Sequence, residues 1–172
     1  MRIRIIILVA LFAVIGFGTQ LNAQKIASID MEKILASITE YQDAQVQLDQ
    51  LTAKWQQDID QQYEMIKGMY NKYQAEQVLL TEEQRVKRED EIIAKEQSVQ
   101  TMQRERFGPE GALFQRRQEL VKPIQDAVYE AIESYANTRG YDFIFDRAGS
   151  AGIIFANDTY DKTDDILRAL KN

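Results

Sequence analysis

The chain has no histidine and no cysteine, and only two prolines and one tryptophan among its 172 residues. Histidine is the commonest general base, and cysteine supplies the thiolate nucleophile. Their absence removes much catalytic and most transition-metal chemistry. No disulfide can staple the fold, even in an oxidising compartment. Paired acids remain at Glu82-Glu83, Glu89-Asp90-Glu91 and Asp164-Asp165, but all lie on expected helices with basic neighbours and read as solvated faces. Asp158, Asp161, Asp164 and Asp165 lack the Gly and distal Glu of an EF-hand loop, and helix capping accounts for them better. Gly108-Pro109-Glu110-Gly111 is too short to cradle a phosphate and carries no Lys. The expectation is a protein with no enzymatic activity, no metal and no cofactor.

Long apolar runs are also scarce, and the only one stands at the amino terminus. Arg2 and Arg4 precede an unbroken apolar stretch from Ile5 to Ile15, followed by Leu21-Asn22-Ala23. A charged start, an apolar centre too short to span a bilayer and a small residue at the cut describe a secretory signal peptide, residues 1–23, cleaved after about Ala23. An uncleaved anchor is the alternative. Removing this segment takes away two Arg and no acid, leaving 19 basic against 27 acidic residues and a net charge of −8. The remaining single chain, 24–172, divides into a body (24–30 and 112–172) and a helical arm (31–111).

The arm is what the sequence has in abundance. Alternate steps of four and three from Ile34 give Ile34, Ile38, Tyr41, Gln45, Leu48, Thr52, Trp55, Ile59, Gln62, Ile66, Met69, Tyr73, Glu76 and Leu80. Ten of these 14 positions are apolar, which is the seam of a coiled coil. Gly68 is the only glycine or proline along it. Asp30 is a good cap for an outgoing helix that is expected to run to Leu80. Thr81-Glu82-Glu83-Gln84 is a capping box that starts a second helix, so the chain is expected to reverse there. One continuous helix through 81 is the alternative. The returning helix carries Val86, Ile92, Val99 and Met102 as its seam. Gly108 to Gly111 interrupts it, with Pro109 placed to open the next helix. That helix contains Pro123, expected to kink it, and ends at Gly140.

The ends of the chain are strand-like. Lys25 to Ile29 is one short strand, and Tyr141–Asp146 and Ile153–Ala156 read as a β-hairpin across a small-residue turn. A last helix is expected with Thr163 as its cap. The fold class is α+β: a long antiparallel helical hairpin on a small β body. That body buries too little alone, and oligomerisation is the expected remedy. Ile26, Ile29, Ile144 and Ile154 are the candidate oligomer core. On the arm, Tyr63, Met65, Tyr70, Val78 and Leu79 are apolar surplus outside the seam, suited to weak contact with many partners. Arg85, Lys87 and Arg88 are ringed by acids, so neither nucleic acid nor anionic lipid is an expected ligand.

The signal peptide, Lys25-Ile26-Ala27-Ser28-Ile29-Asp30-Met31, the helical hairpin, Glu119 to Gln125, Gly140-Tyr141-Asp142-Phe143-Ile144-Phe145-Asp146 and the terminal Thr163-Asp164-Asp165-Ile166 helix together resemble the Skp/OmpH family of periplasmic chaperones. The resemblance covers the whole mature chain. It implies a periplasmic homotrimer whose short strands form a common body. From that body three tentacle-like arms hold unfolded outer-membrane proteins in a cavity without ATP. The best-known members are basic whereas this chain is acidic, so lipid or lipopolysaccharide binding does not carry over. A structural coiled-coil spacer or tether in the envelope is the alternative function. A tether should have a tightly filled seam, whereas Gln45, Thr52, Gln62 and Glu76 loosen this one.

Overall fold

A computed structural model describes residues 24–149 and 152–171, and the expected signal peptide lies outside the described residues. The chain runs β1 (Ile26–Ile29), α1 (Met31–Ala36), α2 (Thr39–Glu76), a 3₁₀ turn (Gln77–Leu79), α3 (Glu82–Phe107), α4 (Ala112–Arg139), β2 (Phe143–Asp146), a second 3₁₀ turn (Asp158–Tyr160) and α5 (Thr163–Ala169). The α+β hairpin-on-base architecture is as expected.

Helix α2, at ~1.5 Å per residue, extends about 57 Å. Every one of the 14 seam positions is buried or half-buried, and most of the residues between them are exposed. Reversal occurs at residue 81. Thr81 accepts from the Gln84 backbone N–H, and Gln84 returns the bond to the Thr81 N–H. Helix α3 then packs on α2 through Ile59, Ile66, Ile92 and Val99, with Met69, Tyr73, Met102 and Phe107 at the margin. Lower down, Ala44, Leu48 and Val121 form the neck with Leu113, Leu120 and Ile124.

Three local expectations need correction. The outgoing helix is broken after Ala36, because the Ser37 hydroxyl bonds back to the Lys33 carbonyl at 2.7 Å and Ile38 turns extended. A serine competing for backbone and a β-branched pair, Ile38-Thr39, make this the weak point of the run. On the return, Val86 is exposed, and half-buried Arg85 holds the seam position seven residues before Ile92. Pro109 lies in the turn between α3 and α4, and Gly111 caps α4 instead. Pro123 lies inside α4, as expected.

The base departs most from expectation. No hairpin forms between 141–146 and 153–156; β2 pairs in parallel with β1, in the register Ile26 with Phe143 through Ile29 with Asp146. Parallel strands need a long crossover, and the whole helical arm is that crossover. Asp142 N–H donates to Lys25 O and Arg147 N–H to Ile29 O, both at 2.8 Å, extending the pairing at each end. Among the described residues Ile153–Ala156 has no ladder partner, and the other edge of β1 is met at Ser28 by Asp161 and by the Lys162 N–H. Beneath the sheet, Ile29, Ile34, Leu35, Val128 and Ile166 close the core, joined by Ile124, Ile132, Ile144 and Leu167.

Helix α5 begins with Thr163 rather than being capped by it. Asp161 Oδ1 does the capping, accepting from the Thr163 N–H at 2.8 Å and hydroxyl at 2.5 Å. The buried Thr163 hydroxyl oxygen in turn accepts from the Asp30 N–H at 2.9 Å, tying α5 to the start of α1.

Candidate functional site

Among the described residues two surfaces are uncovered and apolar: the arm and the outer face of the sheet. The arm has two distinct edges, because two packed helices leave a groove on either side of the seam. Tyr73 donates to Glu89, and the Glu96 charge, with burial and a hydrogen bond, pushes the Tyr70 phenol up. Bonding to Glu89 first, then burial, does the same to Tyr73. These two rungs define one edge. Tyr63, one helical repeat before Tyr70, belongs to it on α2. On α3, Val86 and Ile93, seven residues apart and one position beyond the seam, lie on the same side.

The opposite edge is built differently. Arg106 on α3 donates to Asp58 Oδ2 at 3.0 Å and to the Trp55 carbonyl at 3.3 Å, and its guanidinium lies 5.6 Å from the Trp55 ring centroid. Phe107 meets the Trp55 ring edge-on at 6.0 Å. Met65, one repeat after Asp58, lies on this edge. At the tip, Val78 and Leu79 are 90% and 82% exposed. All five predicted arm residues are thus exposed, but the structure divides them: Tyr63 and Tyr70 on one edge, Met65 on the other, Val78 and Leu79 on the turn.

The strand residues at the base split by the pleat, since successive side chains point to opposite faces. Ile29 is fully packed in the core of this chain, and Ile144 lies half-buried against it. Ile26, Phe143 and Phe145 face outward and stay largely exposed, as do Phe155 and Ile154, at 83% and 101%. Ile26, Phe145 and Phe155, with Ser28, Ile153 and Tyr160, line a groove of about 370 Å³. The Ser28 hydroxyl is buried there with no hydrogen-bond partner among the described residues. Of the four predicted core residues, Ile26 and Ile154 are thus free to meet another molecule.

A polar network steadies this base. Burial pushes the Asp161 carboxyl up, but bonds from Thr163 and the charges of Arg147 and Lys33 outweigh it and hold the group below the usual carboxylate range. Arg147 donates to Asp161 Oδ2 at 2.8 Å. The Tyr135 hydroxyl donates to Asp165 at 2.7 Å and, with Arg168, lowers that carboxyl, while burial and Asp165 push the phenol up. Each of these acids serves a cap or a strap.

The sequence reading placed exposed Val86 in the seam and did not single out exposed Ile93, Phe143 or Phe145. The spacing signal for the first two was present, as a seven-residue repeat displaced by one from Arg85 and Ile92.

No curated protein matches the sequence. Among solved structures, a crystal structure of a candidate OmpH-like outer membrane chaperone from Caulobacter crescentus superposes with a TM-score of 0.68 at 14% identity, covering 89% of this chain and 88% of that one. At that identity the likeness is one of fold. A family profile described as outer membrane protein (OmpH-like) matches residues 25–170, both strands and the whole arm included. The chain belongs to the OmpH-like outer membrane protein family.

Proposed function

We propose that this protein is an ATP-independent holdase of the periplasm. Three chains join through their bases, and unfolded outer-membrane proteins are held between the arms by many weak apolar contacts. One observation carries the reading: an arm whose seam is already filled still exposes Tyr63, Met65, Tyr70, Val78 and Leu79 among the described residues. Family membership supports a chaperone role, and so does the fold shared with a candidate chaperone. Weak contacts spread over several arms give retention without trapping, which suits release without an energy source. The uncovered sheet face, with Ile26, Phe145 and Phe155, supports assembly, because parallel strands are ordinarily covered on both faces. No catalytic step enters this reading. The test is whether the purified protein, at stoichiometric amounts, keeps a denatured β-barrel protein soluble on dilution. Prompt aggregation of the barrel would leave the tether as the better account.

A further inference from the structure

The two edges of the arm differ in charge as well as in shape. On the edge marked by Tyr63 and Tyr70, the α3 positions beside Val86 and Ile93 are Glu83, Glu89, Asp90 and Glu96. Asp60 and Glu64 add acid from α2. Lys67 is the only base from α2 on that side and already pairs with Glu64 at 3.6 Å, and Arg85 on α3, whose charge reaches Tyr73, is paired with Glu82 at 2.8 Å. On the opposite edge the helical repeat places Lys54, Lys72 and Lys87 beside Glu91 and Glu105, while Arg106 takes the Asp58 carboxylate there and Arg88 pairs with Glu91 at 3.3 Å. Four half-exposed apolar side chains therefore stand among carboxylates along the edge marked by the two tyrosines. Tyr73 and Tyr70 lean on Glu89 and Glu96, so the aromatic and acidic groups occupy one continuous strip.

We infer that the strip formed by Tyr63, Tyr70, Val86 and Ile93 with Glu83, Glu89, Asp90 and Glu96 is a docking edge for extended segments in which apolar side chains alternate with lysine or arginine. An extended chain places successive side chains on opposite sides, with one set every two residues. Its apolar set covers the four apolar groups, and the long Lys or Arg stems, leaving from the other side, bend back past the edge to reach the carboxylates at the rim. Apolar contact supplies retention, and charge supplies the choice of segment. This rests on the holdase reading and adds to it the class of segment preferred.

The experiment uses the full mature protein and two short fluorescent peptides, one alternating Val and Tyr with Lys, the other with Glu in place of Lys. Binding is followed by anisotropy, helicity by circular dichroism, and aggregation of a denatured β-barrel protein is measured in parallel. The Lys peptide is expected to bind about fivefold tighter than the Glu peptide, the scale of two exposed ion pairs. E89Q/E96Q, which leaves Tyr73 and Tyr70 an amide oxygen to bond to, should abolish that preference. E130Q/E133Q on α4 makes the same change in net charge away from the strip and should leave the preference intact. V86S/I93S should weaken both peptides by a similar factor with helicity unchanged. Equal binding of the two peptides while the barrel stays soluble overturns the docking edge and leaves the holdase standing. A preference erased equally by E130Q/E133Q overturns it too, since net charge alone would then explain the result. If neither peptide binds and the barrel aggregates, both readings fall.

Discussion

Asp161 shows how much of the base depends on one side chain. Its carboxylate caps α5 through Thr163, and Thr163 in turn satisfies the Asp30 N–H at the start of α1. Arg147 closes the other side at 2.8 Å. Because its folded pKa is depressed, the carboxylate contributes stability that is present above its unfolded value near 4 and lost as pH falls through the lower folded value. Asp165 behaves in the same sense. The base should therefore hold at neutral pH and weaken below about pH 4. Asp161→Asn should reduce stability at pH 7 by about 1–3 kcal/mol, the scale of a charged hydrogen-bond network losing its charge. It should also flatten the acid limb of the stability profile. Urea titrations between neutral and acidic pH measure both effects; an unchanged acid limb in the variant would remove Asp161 from the account.

At the scale of elements, two glycines of the arm should respond in opposite ways to the same change. A Cβ at Gly68 would meet nothing within 4 Å, on an exposed position in mid-helix. Gly68→Ala should stabilise the arm by about 0.5–1 kcal/mol. At Gly108 the added carbon would stand 2.4 Å from the Arg104 carbonyl oxygen, a backbone atom, where α3 hands over to the turn. Gly108→Ala should cost about 1–3 kcal/mol, since the joint itself must shift. Thermal melts followed by circular dichroism should separate the two by sign.

The elements also show what could be read in advance. The seam of α2 was legible to the residue, as were the capping box at Thr81 and the left-handed cap at Gly140, because each is a local rule acting on neighbouring residues. The break at Ser37 was not, because a continuous apolar period hid a side chain that competes for backbone. The partner of β2 was also hidden: two strand-like runs close in sequence suggest a hairpin, but β1, more than a hundred residues away, brings buried Ala27 and Ile29 and wins the edge. The candidate site was legible as a set of exposed apolar residues. Its division into two edges was not, since that requires knowing that Tyr70 faces Glu96 and Asp58 faces Arg106.

At the scale of the whole molecule the arm and base should separate. The described contacts of base and neck, from Ile29 and Ile34 to Leu48 and Val121, all lie below Ile59 on α2 and beyond Phe107 on the return. Removing a matched block of both helices, residues 60–104, should leave the base folded and able to assemble, while the capacity to hold a denatured barrel protein disappears. A shortened protein that still suppresses aggregation would place client contact on the base.

Assembly itself can be tested on the exposed face of the sheet. A two-stranded sheet is marginal alone, and here one face is covered by α1, α4 and α5 while the other presents Ile26, Phe143 and Phe145 to solvent. The strand-like Ile153–Ala156 segment, unpaired in one chain, supplies backbone and apolar side chains that a neighbouring copy could use. Ile26→Asp leaves the packed face untouched, because Ile26 already points outward. In a joined trimer it would bury an unpaired charge and cost several kcal/mol per site. Sedimentation should show a trimer for the unaltered protein and a shift toward monomer for Ile26→Asp, with helicity retained along the arm. Ile144→Asp reports on the other face: Ile144 packs against the core of its own chain, so that variant should lose folded base as well as assembly. A well-folded monomer of the unaltered protein, over the concentrations at which it holds clients, would rule out the shared cavity.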